Sequence, residues 1–432
     1  MLLHQVKLPH FKHSAESETV KLPMPDKVVI SMAQHLGAPC TPTVKVGDKV
    51  KIGDVIGSSE AAMSAPVHSS ISGTVTAITD VLHISGRYMQ SVVIENDGLE
   101  QISDSVCPPT VENREQFLQA VRNSGSIGLG GAGFPTSLKL GFDPKEKQPD
   151  FLIINGAECE PYITSDYRCF MEEGEDVLEG VLLMLKYLGI PKCVIGIEKN
   201  KPKAIEKMTR LCEKHDNITV KPLKSSYPQG AEKTLIFSTT GRVVKEGTLP
   251  IASGCIVVNS STAAFIAQYI RTGMPLVKRR ITVDGNIVKK PSNFIVPVGM
   301  SIGEIVYYAE LSDKPDRIIL GGPMMGACAF DPDYPLSKTN NAVLMFADSP
   351  VYEPSDCIRC GKCVKACSMN LLPTELEHAF DMRDARQLEK LKVNLCVNCG
   401  ACSFVCPAKR NLAEKNQLAK AFLRERSTRK GK

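Results

Sequence analysis

Eight of the sixteen cysteines stand in two short runs. The first is Cys357-x-x-Cys360-x-x-Cys363-x-x-x-Cys367, and the second is Cys396-x-x-Cys399-x-x-Cys402-x-x-x-Cys406, followed directly by Pro407. Three thiolates this close in sequence can wrap one face of a cubane, and the turn that follows carries the fourth to a neighbouring cluster. The spacing therefore predicts two [4Fe–4S] clusters with crossed ligands. One takes Cys357, Cys360, Cys363 and Cys406; the other takes Cys396, Cys399, Cys402 and Cys367. Gly361 and Gly400 sit where backbone must pass close to the inorganic core. A structural zinc site would separate C-x-x-C pairs by longer stretches, which neither run does. Ser368 follows the first run where this pattern ordinarily has proline. Clusters of this kind move single electrons and make no bonds. The rest of the chain must then hold a device that converts electron pairs into single electrons, and a flavin is the usual one.

A glycine-rich loop supplies the candidate. Gly128-Leu-Gly130-Gly131-Ala-Gly133 matches G-x-G-x-x-G. The dinucleotide fingerprint needs a buried strand just before it, whereas here residues 114–123 read as a helix with Phe117, Leu118 and Val121 on one face. The Rossmann reading is dropped. Glycines still let backbone approach a flat ring or a phosphate. Pro135 can open a helix whose N-terminus faces an anion, and Lys139 can add a charge-assisted contact. The fuller phrase, from Gly128 through Phe134-Pro-Thr to Lys139, resembles the flavin loop in the NADH-binding subunit of respiratory complex I. Three more phrases match that subunit in order: Asn155-Gly-Ala-Glu158-Cys-Glu160-Pro161, Tyr227-Pro-Gln-Gly230-Ala-Glu232, and Asn259-Ser260.

Other elements must hold these loops. Residues 28–97 read as short strands with turns at Gly47-Asp48 and Gly53-Asp54. The phrase VKVGDKVKIGDVIG…SAPVHSSISGTVTAI resembles the flattened barrel of lipoyl and biotinyl domains. Its hairpin, Glu60 to Ser64, lacks the carrier lysine, so the barrel is expected to be a structural module. From Phe151 to Val220 short apolar strands alternate with helices over 177–188 and 201–215, the pattern of βαβ units and a parallel sheet. Residues 278–330 return to strands, with a hairpin near Asp284-Gly285 and a helix over 300–311. A linker is expected over 332–339, and a helical insert over 374–391 between the two cysteine runs.

Length and charge limit the rest. A chain of 432 residues calls for two to four domains. The formal charge of +5 is concentrated: residues 408–432 hold nine Lys/Arg and two Asp/Glu, a net +7, which leaves −2 for the remainder. Nucleic-acid binding, which spreads basic charge over a folded face, is not expected. No stretch reaches eighteen apolar residues, so no transmembrane helix is expected. The segment MLLHQVKLPHFKH lacks the apolar core of a signal peptide, and a reducing compartment is expected. The histidines His4, His10 and His13 fit no metal spacing and read as a solvated segment. The other eight cysteines read as small buried hydrophobes.

Barrel, flavin domain, a small SLBB-type β-grasp-like domain and an eight-cysteine ferredoxin module together resemble the C-subunit family of the Rnf complexes, membrane-bound NADH:ferredoxin oxidoreductases. The fold class expected is α/β multidomain: a lipoyl-like barrel (1–100), a complex I 51 kDa-type flavin domain (112–275), the SLBB-like domain (276–345), a helical two-cluster ferredoxin module (350–412) and a basic tail (413–432). The resemblance implies non-covalent FMN, with Gly128, Gly130, Gly131, Gly133 and Lys139 lining the flavin and its phosphate. It implies that Asn155 and Asn259 hydrogen-bond the flavin, and that Glu158 and Glu160 face the ring edge or the NADH ribose. Phe134 and Phe142 would offer faces to adenine; Tyr227 and Gly230 would belong to the matching cofactor-binding turn, and Glu232 would sit near the nicotinamide side and repel a 2′-phosphate. Leu129 stands where complex I has arginine, and Ala157 where it has an acid. The implied function is electron input: NADH reduces FMN, and single electrons pass through both clusters to other Rnf subunits, membrane-spanning and ferredoxin-like. The implied place is the cytoplasmic side of the membrane, held peripherally. A soluble cobalamin reductase-like flavo-iron–sulfur protein and a non-enzymatic iron–sulfur relay remain alternatives at this point.

Overall fold

Alternating apolar residues build the first module. Strands Lys27–Ser31, Tyr88–Asn96, Gly73–Leu82 and Lys49–Val50 form an antiparallel sheet in that order, and Thr41–Pro42, Val55–Ser58 and Val67–His68 form a second. Their inward residues, among them Val28, Ile30, Ile56, Val75 and Ile94, are fully buried and make one core. The computed structural model describes residues 4–430, with side chains to 427. The remaining residues, 1–3 and 431–432, which begin the N-terminal segment and end the basic tail, lie outside the described residues. The hairpin at 60–64 is docked: the Arg122 guanidinium donates to the Ser64 hydroxyl at 3.2 Å and to the Ser59 carbonyl. These bonds hold the hairpin against the helix that carries Arg122.

The second module is a parallel sheet in the order Ile218–Leu223, Lys192–Glu198, Phe151–Gly156, Cys255–Asn259. Helices Ser165–Leu188, Pro202–Cys212 and Ser260–Thr272 pack on it. Ile154, Phe170, Val177 and Ile195 are fully buried there, each contributing about 1.5–3 kcal/mol. At Gly180 the 165–188 helix meets the 260–272 helix so closely that a Cβ would lie 1.9 Å from the Ala263 carbonyl oxygen. The apolar stretch over 251–270 is broken by the polar residues Asn259 to Thr262. It divides into a buried strand and a helix capped by Asn259, whose Oδ1 accepts from the Ser261 and Thr262 amides.

The third module is a mixed six-stranded sheet in the order Val20–Lys21, Ser292–Pro297, Lys278–Asp284, Ala342–Phe346, Arg317–Leu320, Ala327–Cys328. Its first strand comes from the N-terminal segment and runs parallel to 292–297. Val20 and Lys21 therefore pair outside the two barrel sheets. The expected linker at 332–339 differs as well. Leu336 and Lys338 are buried, and Lys338 Nζ donates to the Pro66 and Gly125 carbonyls at 3.0 Å each, joining barrel and flavin-type domain. A polar sequence looked like solvent-exposed chain, but here its polar groups satisfy backbone at a domain junction.

The cysteine runs end the chain. The insert between them forms helices Pro373–Asp381 and Ala385–Lys390. The basic tail is a helix, Leu412–Lys430, whose Ala419 and Leu423 pack into the same core as Leu376, Phe380 and Leu388. Its first half thus belongs to the core of the cysteine-rich module.

Candidate functional site

The glycine loop closes on itself. The Gly128 amide donates to the Phe134 carbonyl at 2.8 Å, and Ile127 bridges Pro135. Gly131 and Gly133 have φ of +102° and +62°, values that glycine alone adopts without steric cost. A Cβ on Gly131 would meet nothing within 4 Å, so the loop offers bare backbone to open space there. Beneath it, the Leu129 amide donates to Thr262 Oγ1 at 3.0 Å, and the Leu129 carbonyl accepts from the buried Arg279 guanidinium at 2.9 Å. Burial holds the Arg279 pKa down at about 10. Lys139, on the short helix Thr136–Leu140, donates to Glu232 Oε1 at 2.9 Å and to the Val257 carbonyl at 3.1 Å. An open backbone cradle beside an ammonium group fits a flavin ring with its phosphate.

The two asparagines use their amides internally. Asn155 Nδ2 donates to the Gly230 carbonyl and its Oδ1 accepts from the Ala157 amide. Asn259 Nδ2 donates to Asp166 Oδ2 at 2.8 Å. Both side chains shape the loops around the cradle. Phe142 is a correction: it is buried in the core under the stacked Arg114 guanidinium, 4.6 Å from the ring centroid, and offers no face to adenine. Phe134 is partly exposed at the loop.

The acidic segment also departs from expectation. Glu158 is buried and points at a helix start: its Oε1 accepts from the Asp166 amide at 2.8 Å, doing the capping work that Thr164 leaves undone. Its Oε2 has no partner among the described residues. Burial raises the Glu158 pKa, opposed by Lys12 and Lys201. Glu160 turns toward the third module. Its Oε2 accepts from the Met324 amide at 3.0 Å and its Oε1 lies 3.4 Å from the Tyr227 hydroxyl oxygen; burial pushes its pKa up to about 7. Tyr227 is buried, and its hydroxyl donates to the Cys399 carbonyl at 2.6 Å. Glu158 and Tyr227 are thus both engaged within the protein. The tyrosine reaches from the flavin-type domain into the second cysteine loop.

The N-terminal segment, expected to be solvated, straps this region. Lys12 Nζ donates to the carbonyls of Glu158 (3.0 Å), Glu160 (2.8 Å) and Ile163 (2.5 Å). Val6 exchanges backbone hydrogen bonds with Tyr227, the Tyr162 amide donates to the His10 carbonyl, and His13 pairs with Asp284 at 2.9 Å. Desolvation lowers the Lys12 pKa, with Glu158 opposing it. Nothing in local sequence pattern points to Lys12, because its partners are carbonyls about 150 positions away.

The cysteine loops repeat one conformation. Arg359 and Asn398 take φ of 55° and 54°, and Gly361 and Gly400 take 70° and 76°. The Arg359 and Asn398 amides each donate to the sulfur two residues earlier, at 3.4 Å. One cavity is lined by Cys367, Cys396, Cys399 and Cys402, and a second by Cys357, Cys360, Cys363 and Cys406. These are the crossed sets that the spacing predicts. The thiols of each set surround a space. The two sites differ in setting. Cys357 and Cys360 are exposed, whereas Cys402 is buried and Cys399 partly so. A Cβ on Gly400 would lie 2.7 Å from the Met324 carbonyl oxygen, whereas one on Gly361 would meet nothing. The Cys399 loop docks on the body of the protein and the Cys360 loop faces outward. Of the other eight cysteines, Cys40, Cys169, Cys193, Cys212 and Cys255 are buried as expected, Cys159 is partly buried, and Cys107 and Cys328 are exposed.

Comparison with known proteins gives three family matches along the chain. Residues 121–268 match the Nuo51 FMN-binding domain, residues 3–99 the RnfC barrel sandwich hybrid domain, and residues 356–410 the 4Fe-4S dicluster domain. The class is thus an α/β multidomain flavo-iron–sulfur oxidoreductase component, with an FMN domain joined to a two-cluster module. The chain is 41% identical, over 82% of its length and 81% of the relative's, to the C-subunit of the Na+-translocating ferredoxin:NAD+ oxidoreductase complex of Acetobacterium woodii. It is 39% identical to the C-subunit of the proton-translocating complex of Clostridium ljungdahlii, over 89% of this chain and 85% of that one. It is 35% identical to the C-subunit of the ion-translocating oxidoreductase complex of Rhodobacter capsulatus, over 99% of this chain and 83% of that one. This protein belongs to the C-subunit family of the Rnf complexes. Among solved structures, a chain of an NAD+-reducing [NiFe]-hydrogenase shares its fold with a TM-score of 0.51 at 20% identity; the match covers 72% of this chain and 63% of that one.

Proposed function

We propose that this chain is the electron-input subunit of an Rnf-type NADH:ferredoxin oxidoreductase, taking electrons from NADH and passing them singly to partner subunits. The observation that carries this reading is the Tyr227 hydroxyl on the Cys399 carbonyl, which joins the flavin-type domain to a cluster loop. When bound, FMN and two [4Fe–4S] clusters would supply the exchange of electron pairs for single electrons. The protein's part is position. The backbone of Gly128, Gly130, Gly131 and Gly133 would cradle the flavin, with Lys139 beside its phosphate once Glu232 yields it. Asn155, Asp166 and Asn259 hold that cradle's walls. Glu160, fixed by Met324 and Tyr227, holds the seam against the Cys399 loop. The inner set, Cys367, Cys396, Cys399 and Cys402, is then nearest the flavin domain. The outer set, Cys357, Cys360, Cys363 and Cys406, opens to solvent at Cys357 and Cys360 and serves as the exit toward a partner. Among the described residues no helix is long and apolar enough to cross a membrane. The reading therefore assigns ion passage to membrane-spanning partners and places this chain peripherally, on the cytoplasmic side.

Anaerobic titration of the reconstituted chain with NADH tests the reading. The flavin absorbance should bleach and a reduced-cluster EPR signal should grow. A chain that binds FMN and iron yet shows neither change with NADH refutes it. Fractionation of cells tests the place: recovery of the chain entirely free of membranes would oppose peripheral attachment.

A further inference from the structure

Two buried polar side chains face the inner cluster cavity without a partner. Ser368 is 1% exposed and Asn416 is 2% exposed. Both line the cavity formed by Cys367, Cys396, Cys399 and Cys402. Ser368 Oγ and Asn416 Oδ1 each lack a hydrogen-bond partner among the described residues. A buried hydroxyl without a partner is uncommon in a folded protein and calls for an explanation, an ion or ligand included. The outer cavity differs. Of its lining side chains, none has a buried polar atom left unpartnered among the described residues. Ser368 also occupies the position after the fourth cysteine, where Pro407 stands in the second run. Proline has no donor to offer; serine has one that rotates freely.

We propose that the Ser368 hydroxyl donates a hydrogen bond to sulfur of the inner cluster and raises that cluster's reduction potential. Asn416, whose amide ends interchange by a half turn, marks the same wall as polar. The physics is that of a donor beside a charge. A cluster gains one negative charge on reduction, and a hydrogen bond to its sulfur stabilises the reduced form more than the oxidised one. The backbone already gives such bonds to the ligand sulfurs of both sets, through the Arg359 and Asn398 amides. Ser368 adds one to the inner cluster alone, and its chain neighbour Cys367 is itself a ligand of that cluster. A raised inner potential would hold the electron on the docked side of the module until a partner meets the outer cluster.

This inference rests on the cluster reading above, and the test separates the two. The full chain, loaded with both clusters, is titrated with dithionite under argon while EPR follows each cluster. Cys360→Ser, which alters the outer cluster's signal, assigns the two midpoints. Ser368→Ala should lower the inner cluster's reduced-to-oxidised ratio about tenfold at fixed potential, which is 59 mV for a one-electron couple. The outer midpoint should stay put. Ser368→Pro, the residue that the second run carries, should give the same shift. An unchanged inner midpoint in a variant that retains its full iron and sulfide overturns the proposal. Failure of both variants to load the inner cluster overturns it too, because the hydroxyl would then serve assembly. A wild-type chain that binds no iron would instead refute the cluster reading.

Discussion

Lys12→Met removes the ammonium that pins the acidic segment while keeping the length of the side chain. Three carbonyls lose a donor: those of Glu158, Glu160 and Ile163. Glu158 keeps a second one, Lys201 Nζ at 3.3 Å. The Glu160 and Ile163 carbonyls keep none among the described residues. An acceptor orphaned inside a protein costs about 1–3 kcal/mol. Two such losses come to roughly 2–6 kcal/mol, reduced by relief of the desolvation that burial imposes on the charged lysine. A net local destabilisation of about 3 kcal/mol follows, roughly a 150-fold rise in opening of the 156–166 segment. Since that segment carries Asn155's partner amide at Ala157 and the Glu158 cap on the 165–188 helix, FMN retention should weaken with it. Two assays check this: hydrogen exchange of the 156–166 amides, and the dissociation constant of FMN read from the fluorescence of released flavin. Exchange and FMN affinity both within about threefold of wild type would refute the reasoning, and the strap would then be ornamental.

Glu160 gives a pH dependence of defined sign. Its folded pKa lies near 7 against an ordinary value of 4.5, so its contribution to stability is fully present below about pH 4.5 and is lost as pH rises through 7. Glu160→Gln stays neutral; relative to wild type it should gain up to about 3 kcal/mol between roughly pH 5 and 8.5, and urea midpoints that run parallel over that range would count against the assignment. Tyr227→Phe orphans the Cys399 carbonyl and should cost about 1–2 kcal/mol; flavin bleaching by NADH should persist while cluster reduction slows in rapid-freeze EPR. Cys360→Ala should abolish the outer cluster while leaving FMN and the inner cluster bound, as iron analysis and flavin fluorescence will show.

Much of the site was legible because covalent spacing fixes it. Three thiols at i, i+3 and i+6 lie on one side of a short loop whatever the rest of the chain does, so the crossed ligand sets could be assigned and the two cavities follow them. The glycine loop was legible for a like reason: Gly131 and Gly133 occupy backbone angles that glycine adopts most readily. Strand and helix alternation over 151–223 carried the parallel sheet through local periodicity. The strand at Cys255–Asn259 was obscured because a fully buried strand and the helix after it form one apolar run.

What remained was decided by contacts between distant residues. Local sequence marks Glu158 as an acid beside a flavin loop, and only packing turns it into a helix cap. Phe142 is an aromatic like any other until Arg114 and the core cover it. Lys12, Lys338 and Tyr227 each satisfy carbonyls more than 140 positions away. The sequence by itself determined which cofactors the chain can hold, because ligand type and spacing are local. The tertiary structure decided which cysteine loop lies inward and what ties it to the flavin-type domain, because burial and hydrogen-bond partners are properties of the folded whole.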